Sequence, residues 1–444
     1  MPTVYIETYG CQMNVADTDM VLGLLARAGY ARTKTPDSAD VILLNTCAVR
    51  EHAIERVRAR ASILAQFKKR DKRVILGITG CMAEHLRSDL QDQAPYVDLV
   101  IGPDSYRRLP EHIERARGGE SIQDTALDPY ETYEGLDPSR TMTGSVVGHV
   151  AIQRGCDRFC TFCVVPFTRG REHEASPTEV VRQVRAMAAS GFREVQLLGQ
   201  TVNSYRYTEG ERSVSFADLL RQVAEVEGID RIRFMSPYPL DFTDDVIAAM
   251  ADLPKLCKHV HMPLQSASET VLERMRRGYT YGEYAALVQK LRTAMPTIAI
   301  TTDFMVGFCG ETEADFQDTR RAVADLRLDH AFMFAYSERK GTLAARKMPD
   351  DVPAEEKQRR LAIVIEEQRK ITTEIYASLV GQHERVLCES TSRKSPTEVL
   401  GRTDNYRPVI VSAGPKVGDL VDVLIDRAGP ATLYGQPLPK VSAP

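Results

Sequence analysis

Six apolar, β-rich runs alternate with helical patterns between Val146 and about Ser337, and this alternation constrains the fold more than any other feature. The runs are Val147–Ile152, Glu194–Leu198, Arg231–Met235, His259–Met262, Ile298–Phe304 and Ala331–Tyr336. Strands separated by helix-length segments, such as Pro177–Ala189 with Ser176 or Pro177 at its start, pair in parallel. Six such units predict an incomplete (β/α)6 barrel, with its chemistry at the carboxyl ends of the strands. Residues 1–115 repeat the alternation, with strands at Thr3–Glu7, Val41–Leu44, Val74–Ile78 and Val97–Ile101. Helical patterns at Asp17–Ala28 and Val49–Phe67 lie between them, which predicts an open, mostly parallel α/β sheet.

The remainder reads differently. Residues 117–145 are polar, with Gly118-Gly119, Asp128-Pro129 and Asp137-Pro138, and read as a linker or an irregular crossover. Pro349–Ala377 is a long charged helical stretch. Short β-rich runs follow at Glu384–Cys388, Pro408–Val411 and Leu420–Ile425, punctuated by Gly and Pro. They predict a small β-barrel, a form that often holds oligonucleotides. The whole is an α/β multidomain chain, since 444 residues exceed one compact core. A net charge of −4 and a mean hydropathy of −0.27 fit an ordinary soluble protein without a global basic excess. No apolar run approaches the ~18 residues that span a bilayer, so no membrane partner is expected. The opening Met1-Pro2-Thr3-Val4-Tyr5-Ile6-Glu7 lacks the pattern of a signal peptide. The expected compartment is the reducing cytosol, where nine cysteines serve as metal ligands or buried apolar groups rather than disulfides.

Three of those cysteines, Cys156, Cys160 and Cys163, form C-x3-C-x2-C directly after the first barrel strand. A cubic four-iron cluster normally takes four thiolates, so three leave an open iron for a substrate or cofactor. A C-x2-C pair is also half of a zinc site or a redox dithiol. His149 and His173 are near, but neither falls at a finger-like interval. Three further cysteines, Cys11, Cys47 and Cys81, each follow a strand of the first sheet, where ligands of open α/β sheets gather. They can converge despite their separation in sequence. The alternative is three unrelated buried thiols, the reading that suits Cys257 and Cys388 in their apolar runs.

A C-x3-C-x2-C loop on a six-unit barrel, with Phe162 before the last cysteine, resembles the radical S-adenosylmethionine (SAM) enzymes. The N-terminal cysteines narrow the resemblance to the methylthiotransferases, which join an α/β domain and a radical SAM barrel to a TRAM β-barrel. The resemblance spans essentially the whole chain, as residues 1–117, 142–374 and 375–440, and the TRAM-like part includes Gly401-Arg402-Thr403-Asp404. Tyr9-Gly10-Cys11-Gln12-Met13-Asn14, Asn45-Thr46-Cys47-Ala48-Val49-Arg50-Glu51 and Gly80-Cys81-Met82-Ala83 look like the MiaB type. So do Thr168-Arg169-Gly170-Arg171-Glu172 and Gly199-Gln200-Thr201-Val202-Asn203-Ser204-Tyr205. That type acts on N6-isopentenyladenosine next to the tRNA anticodon. The branch acting on a ribosomal-protein aspartate more often has Cys-Pro-Lys-Asn at the first cysteine. The branch acting on threonylcarbamoyladenosine tRNA has Cys-Lys-Val-Asn or Cys-Ser-His-Asn. Two segments depart from the type: Ser236-Pro237-Tyr238-Pro239 replaces a Ser-His-Pro, and Cys309 stands where proline is usual.

The resemblance implies two [4Fe-4S] clusters, an auxiliary one on Cys11, Cys47 and Cys81 and a radical SAM one on Cys156, Cys160 and Cys163. The product carries a methylthio group at carbon 2 of the adenine, whose hydrogen no side-chain base removes as a proton. Two SAM molecules are implied per product, one methylating a sulfur at the auxiliary cluster and one yielding the radical. Candidate SAM contacts are Gln200, Asn203, Gln265, Ser266 and Asp303, polar residues at strand ends that would otherwise satisfy loop backbone. The implied partners are the tRNA anticodon stem-loop, an electron donor and a sulfur source. Arg154, Arg158, Arg169 and Arg171 lie where phosphate would approach, and Tyr406 is placed to stack on a base. Residues 50–73 carry nine Lys/Arg against three Asp/Glu, which a solvated helix face also explains. Residues 378–444 carry eight against seven and make no electrostatic magnet. A reading of another class is a non-catalytic, zinc-containing RNA-binding protein.

Overall fold

The computed structural model describes residues 1–48, 51–136, 145–412 and 414–438. The first unit is a parallel sheet of β1 (Thr3–Tyr9), β2 (Ala31–Arg32), β3 (Val41–Thr46), β4 (Ile75–Gly80), β5 (Leu99–Ile101) and β6 (Ile122–Asp124), in the order β2-β1-β3-β4-β5-β6. Every residue of β3 and β4 is buried, as near-continuous apolar runs covered on both faces should be. Alternation divides them between two cores. Val41 and Leu43 pack with Val21 and Leu25 of α1 (Gln12–Arg27), while Ile42 and Leu44 pack with Val57 and Leu64 of α2 (Glu51–Arg70). Helix α1 starts five residues before the predicted Asp17, because Asn14 reaches back to the Cys11 N–H at 3.3 Å as a capping box.

The six predicted barrel strands are β7 (Val147–Ala151), β8 (Glu194–Leu198), β9 (Arg231–Met235), β10 (His259–His261), β11 (Ala299–Val306) and β12 (His330–Ala335). They form two parallel three-stranded sheets, β9-β8-β7 and β10-β11-β12, joined by a bridge between Ile232 and Leu256. The C-terminal unit is a closed barrel of β13 (His383–Thr391), β14 (Val399–Thr403), β15 (Pro408–Val411), β16 (Leu420–Ala428) and β17 (Leu433–Pro437), ordered β13-β14-β15-β17-β16. The charged helix, expected over Pro349–Ala377, starts later, at Ala354, runs to Ala377, leads into it and packs along β12.

Two readings need correction. The segment read as a linker or irregular crossover is no free linker: it contributes β6 to the sheet edge and buries Glu131, Tyr133 and Leu136. Its Asp137-Pro138 lies outside the described residues. Tyr406 is not presented to a base: its half-buried ring stacks on His259 at 5.1 Å, with the Arg233 guanidinium 4.8 Å from it. Arg231 and Arg233 donate to the carbonyls of Arg402, Arg385, Asp404 and Thr403 at 2.6–2.7 Å, and Arg407 pairs with Asp329 at 2.6 Å. Arg231 opens β9, Arg233 follows two residues in, and Asp329 directly precedes β12. The C-terminal barrel therefore plugs the amino end of the larger one and leaves the carboxyl end for chemistry.

Candidate cluster site between the two α/β units

Strand register brings the dispersed cysteines together. Tyr9 pairs with Thr46, and Thr46 with Gly80, so Cys47 and Cys81 follow neighbouring, level positions, and Cys11 follows two residues after the third strand end. Adjacent strands lie about 4.8 Å apart. Gly80 has φ +91 and ψ −163, a region open to glycine alone. A Cβ there would meet Asn45 Oδ1 at 2.5 Å and the Thr46 carbonyl at 2.7 Å, and one on Gly10 would meet Cys47 Cβ at 2.8 Å. Asn14 and Asn45, both fully buried, tie the ends across: Asn14 Nδ2 donates to Asn45 Oδ1 and the Thr46 carbonyl at 3.3 Å, and Asn45 Nδ2 to the Asn14 carbonyl at 2.8 Å.

The compact triplet leaves the carboxyl end of β7 in a loop pinned on several sides. Cys156 N–H donates to the Gly170 carbonyl at 3.1 Å, Thr161 N–H to Met275 at 3.1 Å, and Ala344 N–H to the Thr161 carbonyl at 2.8 Å. Phe162 packs edge-on against Phe308, in the same apolar group as Cys309. The Val165 N–H donates to Cys163 Sγ at 3.4 Å, and the Arg277 guanidinium to Cys160 Sγ at 3.3 Å. Arg277 is buried against Tyr238 and Tyr279, which places the departing segment Ser236–Pro239 one layer from the triplet.

The two α/β units meet beside their triplets. Helix α1 lays Met13 and Ala16 against Ala151, Leu198 and Met235 at the ends of β7, β8 and β9. Cys81 packs with Ala48 and with Val164, the neighbour of Cys163. Arg169 spans the joint, with Nε donating to Cys81 Sγ at 3.1 Å and its terminal nitrogens to Asp17 at 2.5 and 3.3 Å. Arg154 pairs with Asp104 at 2.5 Å, each 2% exposed, with Tyr133 stacked 3.5 Å from the guanidinium. Arg154 and Arg169 are thus committed to the joint rather than offered to phosphate. Their partners are 50 and 152 residues away, so no local signal reveals them. Arg158 is half-buried between Asp241 and Tyr238, and Arg171 is exposed beside Asp157.

Of the candidate SAM contacts, Asn203 is taken up by both backbone groups of Tyr238, and Ser266 by Thr319 and the Ser268 N–H. Gln200 Oε1 is buried with no partner, Asp303 faces His261 Nε2 at 3.4 Å, and Gln265, at φ +77, bridges strand ends through its backbone. Sequence reasoning gave Glu172 no role. It accepts from Thr201 Oγ1 at 2.5 Å and Ser204 Oγ at 3.0 Å and so ties two of the motifs together. In the basic stretch, Arg60 pairs with Glu7 and Lys68 with Asp98, Lys69 and Arg70 are exposed, and Arg50 lies outside the described residues.

Burial raises the Cys81 thiol and pushes Cys156 and Cys163 up to about 11 and about 12. Each buried thiol would give up its proton on binding a metal, and N–H donors already point at sulfurs of both triplets, Cys81, Cys160 and Cys163 among them. Among the described residues no three His, Cys, Asp or Glu are gathered tightly enough to hold a single ion. A four-iron cube takes each thiolate at a separate corner, so all-sulfur triplets with sulfur-directed donors fit that group.

Residues 3–102 match the uncharacterized protein family UPF0004, residues 150–323 the Radical SAM superfamily and residues 377–438 the TRAM domain. The tRNA-2-methylthio-N(6)-dimethylallyladenosine synthase of Pelodictyon phaeoclathratiforme is 44% identical over 437 residues, 98% of either chain. Those of Prosthecochloris aestuarii (41%; 98% of either chain) and Porphyromonas gingivalis (43%; 98% of this chain, 94% of that) are similarly close. Among solved structures, the radical S-adenosylmethionine methyltransferase TsrM from Kitasatospora setae aligns with a TM-score of 0.56 at 13% identity, over 87% of this chain and 78% of that one, a likeness of fold. The chain is a radical SAM enzyme and belongs to the tRNA-2-methylthio-N(6)-dimethylallyladenosine synthase family.

Proposed function

We propose that this enzyme adds a methylthio group to carbon 2 of N6-isopentenyladenosine at position 37 of tRNA, in the cytoplasm. The observation that supports the reading is the joint itself: two α/β units, each with an all-cysteine triplet, meet where Arg169 bonds Cys81 and Asp17 and Val164 packs on Cys81. Cys11, Cys47 and Cys81 would hold an auxiliary [4Fe-4S] cluster, and Cys156, Cys160 and Cys163 the radical SAM cluster. When bound, these groups and SAM supply hydrogen-atom abstraction from an unactivated carbon and delivery of a methylated sulfur, which side chains alone do not provide. The chain's own residues position and exclude. Asn14 and Asn45 lock the strand ends that present one triplet, and the Thr161, Ala344 and Val165 backbone locks the other. Gln200, with its buried unpartnered acceptor, Gln265 and Asp303 would orient SAM at the barrel mouth, with Asn203 and Ser266 supporting their loops. Met13, Ala16, Ala151, Leu198 and Met235 exclude water where α1 meets the barrel strand ends. Arg158 and Arg171, nearer the surface than Arg154 and Arg169, would meet the anticodon stem-loop.

The domain limits proposed are residues 1–117, 142–374 and 375–440, the last binding RNA; an electron donor and a sulfur source complete the reaction. No helix of the described residues is long and apolar enough to cross a membrane. Anaerobic reconstitution and nucleoside mass spectrometry test the reading. About eight irons and eight sulfides per chain are expected, with loss of 2-methylthio-N6-isopentenyladenosine from tRNA on gene deletion. Stoichiometric zinc without sulfide, or an unchanged nucleoside with loss of methylthioaspartate from a ribosomal protein, would refute it.

A further inference from the structure

Each cysteine triplet has one buried guanidinium aimed at one of its sulfurs, and the two guanidiniums are compensated differently. Arg277 donates to Cys160 Sγ at 3.3 Å and otherwise to neutral groups, the Tyr279 hydroxyl at 2.9 Å and the Pro263 carbonyl at 2.8 Å. Arg169 donates to Cys81 Sγ at 3.1 Å and is paired with the Asp17 carboxylate, which has no exposure at all. Arginine stays protonated even when buried, so both positive charges are fixed. Arg169 belongs to the barrel unit, whereas Cys81 and Asp17 belong to the first sheet. Its backbone N–H closes the single turn Val165–Thr168 by donating to the Val165 carbonyl at 2.8 Å, and the Val165 N–H reaches Cys163 Sγ. One turn of helix thus touches a sulfur of either triplet.

We propose that Arg169 is a positioning residue that holds the Cys81 sulfur through Nε–H and, against the opposing charge of Asp17, sets the reduction potential of the cluster on Cys11, Cys47 and Cys81. The inference rests on the two-cluster reading above. Hydrogen bonds to ligand sulfurs and nearby positive charge favour the reduced, more negative form of an iron–sulfur cluster, and burial strengthens both effects. Asp17 acts with the opposite sign. Because Arg169 comes from the other unit, the potential is set only when the two units dock.

The test is an anaerobic redox titration followed by electron paramagnetic resonance on the full chain with Cys156, Cys160 and Cys163 replaced by alanine, so that only the auxiliary signal remains. Arg169→Gln is expected to shift its midpoint to more negative potential and Asp17→Asn to shift it to more positive potential. Arg169→Lys, which keeps the charge but loses the forked donor, should fall between Arg169→Gln and the parent. Opposite signs are what a merely structural role would not produce. If Arg169→Gln fails to retain iron, Arg169→Lys and Asp17→Asn carry the comparison alone. Midpoints that do not move, or that move in one direction for both residues, overturn the assignment while leaving the two-cluster reading intact. A parent variant that holds no iron overturns that reading and this inference together.

Discussion

Gly80→Ala isolates the geometry by which strand ends would present the proposed auxiliary cluster. Residue 80 sits at φ +91, ψ −163, which costs a residue with a Cβ about 1–3 kcal/mol. The new Cβ would also lie 2.7 Å from the Thr46 carbonyl and 2.5 Å from Asn45 Oδ1. The carbonyl is backbone and cannot yield without moving Cys47, and Asn45 cannot yield without losing its bonds to Asn14. Together these terms reach about 3–5 kcal/mol, the size of the larger single-site losses. At about 1.4 kcal/mol per factor of ten, even the lower figure lowers the native arrangement of Cys47 and Cys81 about a hundredfold relative to its alternatives. Reconstituted Gly80→Ala should hold about four irons in place of about eight, all on the barrel triplet, and should still cleave SAM. Gly29→Ala is the internal control. It carries the same sign of φ, +88, but nothing lies within 4 Å of the added carbon, so it should cost only about 1 kcal/mol and keep both clusters. A Gly80→Ala protein with its full iron content would refute the crowding argument.

Asp104→Ala strands Arg154 in the interior without its partner, so the apo protein should lose about 3–5 kcal/mol by urea denaturation, and Arg154→Met combined with Asp104→Leu should lose less. Tyr406→Ala removes the stack on His259 and the contact with the Arg233 guanidinium, weakening docking of the C-terminal barrel by about 2 kcal/mol. Faster limited proteolysis around Ser378–Gly381, with SAM cleavage unchanged in the absence of tRNA, is the expected result. Burial lowers His149 from 6.5 to about 4, so the unfolded chain binds the proton more readily than the folded one. The stability tied to a neutral His149 is complete above about pH 6.5 and is lost as pH falls toward about 4. His149→Gln should flatten the denaturation midpoint across that window.

The alternation of strands and helices was legible because buried parallel strands read as near-continuous apolar runs; β3 and β4 are buried throughout. The approach of Cys11, Cys47 and Cys81 could be foreseen as strand ends in one sheet. How level those strand ends lie could not, since it depends on register and on Asn14 and Asn45 bonding across 31 residues. Charged residues were the least legible. An arginine beside a cysteine motif reads as a phosphate contact unless its carboxylate is visible, and Asp17 and Asp104 belong to another unit. Tyr406 misled for the same reason, because the face that His259 covers is supplied by a strand start 147 residues earlier, where Asn405 bonds the Lys258 carbonyl. The polar composition of residues 117–145 concealed β6, a short edge strand held by backbone pairing to β5 rather than by apolar patterning.

The central claim is a division of labour between the triplets. Replacing Cys11, Cys47 and Cys81 together by alanine and assaying the reconstituted enzyme with tRNA tests it most directly. Continued formation of 5′-deoxyadenosine, with no methylthiolated nucleoside by mass spectrometry, is the predicted result. Methylthiolated product from that variant would contradict the account.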